Sequence, residues 1–222
     1  MNGNQNAVGN VPTTWSVAGT GDFNGDGKGD ILWRDTSGNV AIWEMNGATI
    51  LNPNSPSVSN VPTQWSIAGT GDFNGDGKAD ILWLDTSGNV AIWEMNGTTI
   101  LNQNSSFVAT VPAQWSIAGT GDFNGDAVSD ILWQDTSGNV AIWEMNGTHI
   151  LNAGTSFVGN VPSPWSIQLT GDFNGDGMSD LLWQDSSGNL AIWEMNGTSV
   201  SNPNNTFVGT MPGWSIQHLA AE

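Results

Sequence analysis

The chain has no cysteine among its 222 residues, so it can build neither a disulfide framework nor a thiol nucleophile. Basic residues are almost as scarce: 3 Lys and Arg stand against 21 Asp and Glu, for a formal net charge of −18. Nucleic-acid binding needs Lys and Arg to neutralise phosphate, and docking on anionic lipid needs the same charges, so both classes are argued against. No apolar run approaches the roughly 20 residues of a membrane-spanning helix. The opening residues MNGNQNAVGN lack the basic and apolar regions of a signal peptide, so export would use a removed leader or a signal-independent route. Charged residues make up only 11% of the chain, while 38% are hydrophobic and 13 are Trp. That balance separates the sequence from acidic disordered tails. The length suits one domain or two.

What the chain has in abundance is itself. Val11 to Asn60, Val61 to Thr110, Val111 to Asn160 and Val161 to Thr210 are four near-copies of one 50-residue unit. Each carries GDFNGD, then DILW or DLLW, then SGNVAIWEMNG or SGNLAIWEMNG. Residues 1–10 resemble a shortened repeat tail, and residues 211–222 begin a fifth copy. The first unit reads as four short strands, over 14–23, 30–35, 39–45 and 57–61. Thr36-Ser37-Gly38 supplies a hairpin turn between the second and third. No stretch shows the 3.6-residue apolar period of a helix. The third strand is apolar on both faces, with Val40 and Ile42 on one and Ala41, Trp43 and Met45 on the other. Such a strand belongs in a layer sandwiched between two others. Four-stranded units of this length, each flanked by its neighbours, predict an all-β fold, a β-propeller, with a β-solenoid or stacked array as the alternative.

The segment GDFNGDGKGD between the first and second strands has oxygen donors at alternate positions. Asp22, Asn24 and Asp26 occupy positions 1, 3 and 5, Lys28 offers a backbone carbonyl at position 7, and Asp30 closes the loop at position 9. Hard cations such as calcium take six to eight oxygens, and calcium tolerates such a loop better than magnesium does. The set recurs as Asp72, Asn74, Asp76, Lys78 and Asp80, as Asp122, Asn124, Asp126, Val128 and Asp130, and as Asp172, Asn174, Asp176, Met178 and Asp180. The residue at position 7 changes from copy to copy while the carboxylates stay, as carbonyl ligation expects. In the third copy Ala127 replaces a Gly, and if that position needs a positive φ the loop is strained. Asp, Asn and Gly are also ordinary turn formers. Clustered carboxylates with few basic neighbours, however, favour a bound cation. Four calcium ions would bring the formal charge from −18 to −10.

On these residues the chain resembles the FG-GAP/VCBS repeat family, known from the integrin α-subunit propeller and from bacterial surface and secreted proteins. The matching segments are GDFNGDGKGDILW, GDFNGDGKADILW, GDFNGDAVSDILW and GDFNGDGMSDLLW, so the resemblance runs through all four units. It implies a propeller blade per repeat, with calcium in the loop between its first two strands and a secreted or cell-surface location. Propeller lectins of the Psathyrella velutina type look similar in fold and loop, and they bind sugars between blades. Propellers of the family commonly have six or seven blades, and this chain has four complete units. Exposed strand edges invite association. The expectation is closure within one chain through both end segments, or closure by a homo-oligomer, with the second favoured.

Nothing in the sequence assembles a repeated Ser/His/Asp constellation or a phosphate-cradling loop before a helix. The two histidines, His149 and His218, occupy non-equivalent repeat positions. Asp35 and Glu44, repeated as Asp85 and Glu94, Asp135 and Glu144, and Asp185 and Glu194, flank one hairpin and invite comparison with a glycosidase pair about 5–9.5 Å apart. Asp35 is also a natural turn-opening residue, so the expectation is a protein that is not an enzyme. Trp15, Trp65, Trp115, Trp165 and Trp214 open the first strand, after Val-Pro in the four full copies and near Met-Pro at the end. They either line a rim as stacking platforms for sugar or seal the blades. The residue after the second-strand Trp, Arg34 in the first copy, is expected to face solvent. The expected partner is a carbohydrate or glycoprotein engaged at several equivalent sites, with a protein-interaction scaffold as the alternative.

Overall fold

The structure, a computed structural model, describes residues 8–54, 56–204 and 206–213. Every described element is β. Four antiparallel four-stranded sheets follow one another, each holding its strands in the order first, second, third, outer. The first sheet contains Trp15–Gly21, Asp30–Asp35, Asn39–Trp43 and Ser57–Asn60. Its register pairs Trp15 with Asp35 and Gly21 with Asp30, so the turn at Trp15 and the acidic loop lie at opposite ends of the first strand. The other sheets repeat this arrangement and begin at Trp65, Trp115 and Ser166. One element went unforeseen. After the third strand, Met45–Asn46 pairs with Thr49–Ile50 as a two-residue hairpin around Asn46-Gly47, too short to carry a periodic pattern.

Blades meet face to face, and the core lies between them. At the first junction Phe23, Leu32, Val40 and Ile42 of one sheet pack on Ala79, Ile81, Trp83, Ala91 and Met95 of the next. The same match of an aliphatic face with a Trp face recurs at the second and third junctions. This explains the two-sided apolar pattern of the third strand: Val40 and Ile42 serve the following blade, while Ala91 and Trp93 serve the preceding one. The first strands run side by side. The Thr70 hydroxyl donates to the Thr20 carbonyl at 2.8 Å, and Thr120 and Thr170 repeat the link to Thr70 and Thr120. First strands gathered in this way with outer strands splayed apart are the geometry of a propeller.

The blades approach closely at their loops. A side chain on Gly21 would collide with Ala79, and one on Gly71 or Gly121 with Ser129 or Ser179. The residue before each closing Asp is therefore small in every copy: Gly29, Ala79, Ser129 and Ser179. Residues 1–7 and 214–222, which hold Trp214, His218 and most of the two partial repeats, lie outside the described residues. Of the opening segment, Val8–Asn10 is described and forms no strand.

Candidate metal centre and ligand clefts

The acidic loop is held by its own side chains. Asp22 accepts hydrogen bonds from the amides of Gly25 at 2.7 Å, Asp26 at 3.1 Å and Gly27 at 2.6 Å. Asn24 Oδ1 accepts from Asp26 N, and Asp26 Oδ1 from Lys28 N. Asp30 sits deepest, with Oδ2 accepting from Phe23 N at 3.0 Å and Oδ1 from Met45 N at 2.8 Å. It ties the loop to the small hairpin that follows the third strand. The other three loops repeat these bonds, with Asp72, Asn74, Asp76 and Asp80 in the second. Asp122, Asn124, Asp126 and Asp130 hold the third, and Asp172, Asn174, Asp176 and Asp180 the fourth. Ala127 has φ of 66°, in the left-handed region, and its amide donates to Asp122 as Gly27 does to Asp22. The strain expected at that position is present.

Among the described residues no three carboxylate or imidazole side chains already converge as a metal set. The loop oxygens point inward to backbone amides, and Lys28 and Lys78 supply internal cations to Asp26 at 2.9 Å and Asp76 at 3.3 Å. The donor chemistry nonetheless fits a hard cation, with three carboxylates, an amide oxygen and a carbonyl in one short loop. The electrostatics fit as well. Burial, with Asp72 and Asp76 nearby, pushes Asp80 up to about 7 against the pull of the Met95 and Phe73 amides. Asp130 is pushed to about 7 for the same reasons. Asp30 and Asp180, in the two end blades, are raised by the same causes. A cation would relieve that repulsion.

The position-7 residues also pack across the blade junctions. Lys78, Val128 and Met178 lie over Gly25, Gly75 and Gly125 of the preceding loop, so the first three loops are roofed by the next blade, while nothing lies within 4 Å of that position at Gly175. Backbone bonds cross the same junctions: Ala79 N donates to Asp22 O and Gly97 N to Phe23 O, both at 2.7 Å.

The carboxylate couple is not a glycosidase pair. The second and third strands pair Ile31 with Trp43, which places Glu44 beside Asp30 and not beside Asp35. Asp35 lies at the other end of that hairpin, roughly 17 Å further along at ~3.3 Å per residue. It accepts from Ser37 N, Asn39 N and Asn39 Nδ2. The Asn39 side chain and those amides hold its carboxyl below the usual range, against the opposing effect of burial.

The tryptophans gather by blade. Trp33 and Trp43 tilt against each other at 59° with ring centroids 4.9 Å apart, and the pair recurs in every blade. With Trp15, Pro12 and Asn10 they line a cleft of about 180 Å³. Trp115, Trp133 and Trp143 line its counterpart of about 240 Å³ with Thr110, Pro112 and Ser156. Trp65, Trp115 and Trp165 are half-buried and also pack on the junction cores, so stacking and sealing fall to the same side chains. The indole N–H groups of Trp33, Trp83, Trp133 and Trp183 are buried and have no hydrogen-bond partner. Arg34 departs from expectation: its guanidinium lies 4.9 Å from the Trp83 ring and donates to the Val61 and Pro62 carbonyls.

The model of the FG-GAP-like repeat matches residues 22–83, 72–133 and 122–183, well over half of the sequence. The chain belongs to the FG-GAP-like repeat family. The three matches each run from one acidic loop through the second-strand Trp of the next copy. Comparison with curated proteins returns no match. Solved structures similar to this FG-GAP-like chain include a protein of unknown function from Bacteroides caccae, at TM-score 0.46 and 12% identity, covering 91% of this chain and 63% of that one. BamB from Moraxella catarrhalis is similar at 0.45 and 13%, covering 81% and 47%. The computationally designed Ika8 protein is similar at 0.43 and 8%, covering 85% and 50%. The chain thus spans about half to three-fifths of the length of these structures.

Proposed function

We propose that this FG-GAP-like propeller is a calcium-stabilised, multivalent carbohydrate-binding module, secreted or held at the cell surface, and not an enzyme. The observation that carries the reading is the Trp-lined cleft that recurs in the first and third blades. Aromatic rings stack on the C–H faces of a sugar, and Asn10, Thr110 and Ser156 beside them offer polar partners for its hydroxyls. Repetition then turns weak sites into useful avidity.

Calcium acts at a distance in this scheme. The acidic loops and the Trp15-type turns lie at opposite ends of a seven-residue strand. That is about 20 Å at ~3.3 Å per residue, so the metal organises blades and does not touch the sugar. Extracellular modules bind calcium at roughly 10⁻⁴–10⁻³ M, which suits an external location.

A second reading rests on a separate feature. Phe107, Phe157 and Phe207 are 58%, 59% and 63% exposed along successive outer strands. A repeated row of exposed aromatics fits a protein partner, and the chain would then be an interaction scaffold.

A glycan array probed with labelled protein in calcium separates the two. Selective binding to one sugar family, lost when Trp115 is replaced by Leu in folded protein, supports the module. A blank array from folded, calcium-loaded protein rejects it in favour of the scaffold.

A further inference from the structure

The two ends of the blade row are the two halves of a junction that the chain already makes three times. Phe23, Phe73 and Phe123 are 0% exposed because the next blade covers them, whereas Phe173 is 45% exposed. Val208 on the last outer strand is exposed, while its counterpart Val158 packs into the third junction. At the other end, Trp33 of the first blade is only half-buried, while Trp83, Trp133 and Trp183 are each 1% exposed.

The hydrogen-bonding groups are left over in the same complementary way. Ser179 N donates to Asp122 O at 2.6 Å and Gly197 N to Phe123 O at 2.7 Å, as at the other two junctions. The equivalent donors of the first blade, Gly29 N and Gly47 N, make no such bond among the described residues. The equivalent acceptors of the last blade, the carbonyls of Asp172 and Phe173, receive no such bond from the described residues. One end therefore presents two donors on a Trp face, and the other two acceptors on an aliphatic face, in the register already used internally.

Part of the first blade's Trp face is covered by the opening segment of the same chain. A side chain on Gly9 would meet the Trp43 ring at 2.8 Å, and one on Gly159 would meet Trp193 at 3.4 Å. Val8–Asn10 thus rests on the first blade as Val158–Asn160 rests on the fourth. Nothing lies within 4 Å of the same position at Gly209.

We propose that the Phe173 face of the last blade docks on the Trp33 face of the first blade of a second copy, with Val208–Thr210 replacing Val8–Asn10. Two copies joined head to tail at both ends close one ring of eight blades. The two faces differ, so the contact is heterologous and must either close or propagate. Eight blades lie within the range that propellers adopt, typically four to eight.

Light scattering on the size-exclusion eluate of the full 222-residue chain, in millimolar calcium and physiological salt, tests this. One chain weighs 23.4 kDa, and the expected species is about 47 kDa. Phe173→Glu and Val208→Glu, both at exposed positions, should each return the mass to one chain with unchanged circular dichroism. Phe107→Glu adds the same charge at an exposed site away from the ends and should leave the dimer intact. Gly9→Val crowds Val8–Asn10 off Trp43 and should lower the dissociation constant, by roughly tenfold for 1.4 kcal/mol. A monomeric wild-type chain, a mass that grows without limit, or a dimer untouched by both end substitutions would overturn the proposal.

Discussion

Ala127 offers a test of the loop at single-residue precision. Gly27, Gly77 and Gly177 hold φ of 80°, 80° and 86° at this position, and Ala127 holds 66°. A side chain at Gly27 or Gly77 would touch nothing within 4 Å, so the difference between copies is one of backbone strain and not of packing. A left-handed Ala costs roughly 1–2 kcal/mol. Replacing it with Gly gives back about 0.4–1 kcal/mol through the freer unfolded chain. Ala127→Gly should therefore stabilise by about 0.5–1 kcal/mol, and Gly77→Ala should destabilise by a similar amount. For a chain of this size 1 kcal/mol moves the melting midpoint by about 2–4 °C. Differential scanning calorimetry of the two variants should show shifts of opposite sign. An Ala127→Gly protein that melts at or below the wild type would refute the strain argument, because the loop would then not require the left-handed region there.

Two further substitutions probe the blade junction and the hairpin turn. Arg34→Gln installs the residue that stands at 134 and 184, and it removes the contact with the Trp83 ring. The expected loss is about 0.5–1 kcal/mol in urea denaturation, and an unchanged midpoint would mean the ring contact contributes nothing. Asp35 has its carboxyl pKa held below the unfolded value by Asn39 and the turn amides. Its stabilisation is therefore present above about pH 4 and lost as the pH falls through the lowered folded value. The stability advantage of wild type over Asp35→Asn should shrink below pH 4, and an advantage that grows there would contradict the assigned sign.

Much of this architecture was legible in the repeat. The second-strand boundaries at Asp30 and Asp35 follow from the apolar run between two turn signals, and the two-sided third strand predicted blades stacked face to face. Other features depend on neighbours that are distant in sequence. Lys78 roofs a loop in the preceding unit, and no local pattern announces that. Arg34 looked solvent-facing because alternation along one strand cannot see the next blade. The loop spacing makes Asp30 a closing ligand, and only the fold of the small hairpin shows that it also anchors the amides of Phe23 and Met45. Glu44 and Asp35 seemed close because they flank one turn in sequence, and antiparallel register separates them. One signal was available and overlooked. The residue before the closing Asp is small in all four copies, which is the mark of a close approach.

Calcium in the acidic loops is the central element of the proposed function. Calcium that binds only the folded state stabilises by RT ln(1 + [L]/Kd), about 2.7 kcal/mol per site at a hundredfold excess over Kd. Isothermal titration of chelator-treated protein, followed by melts in calcium and in EDTA, measures stoichiometry and stabilisation together. About four ions should bind per chain, one for each loop, and the midpoint should rise with calcium. Absent heat of binding with the same melting midpoint in calcium and in EDTA would contradict this.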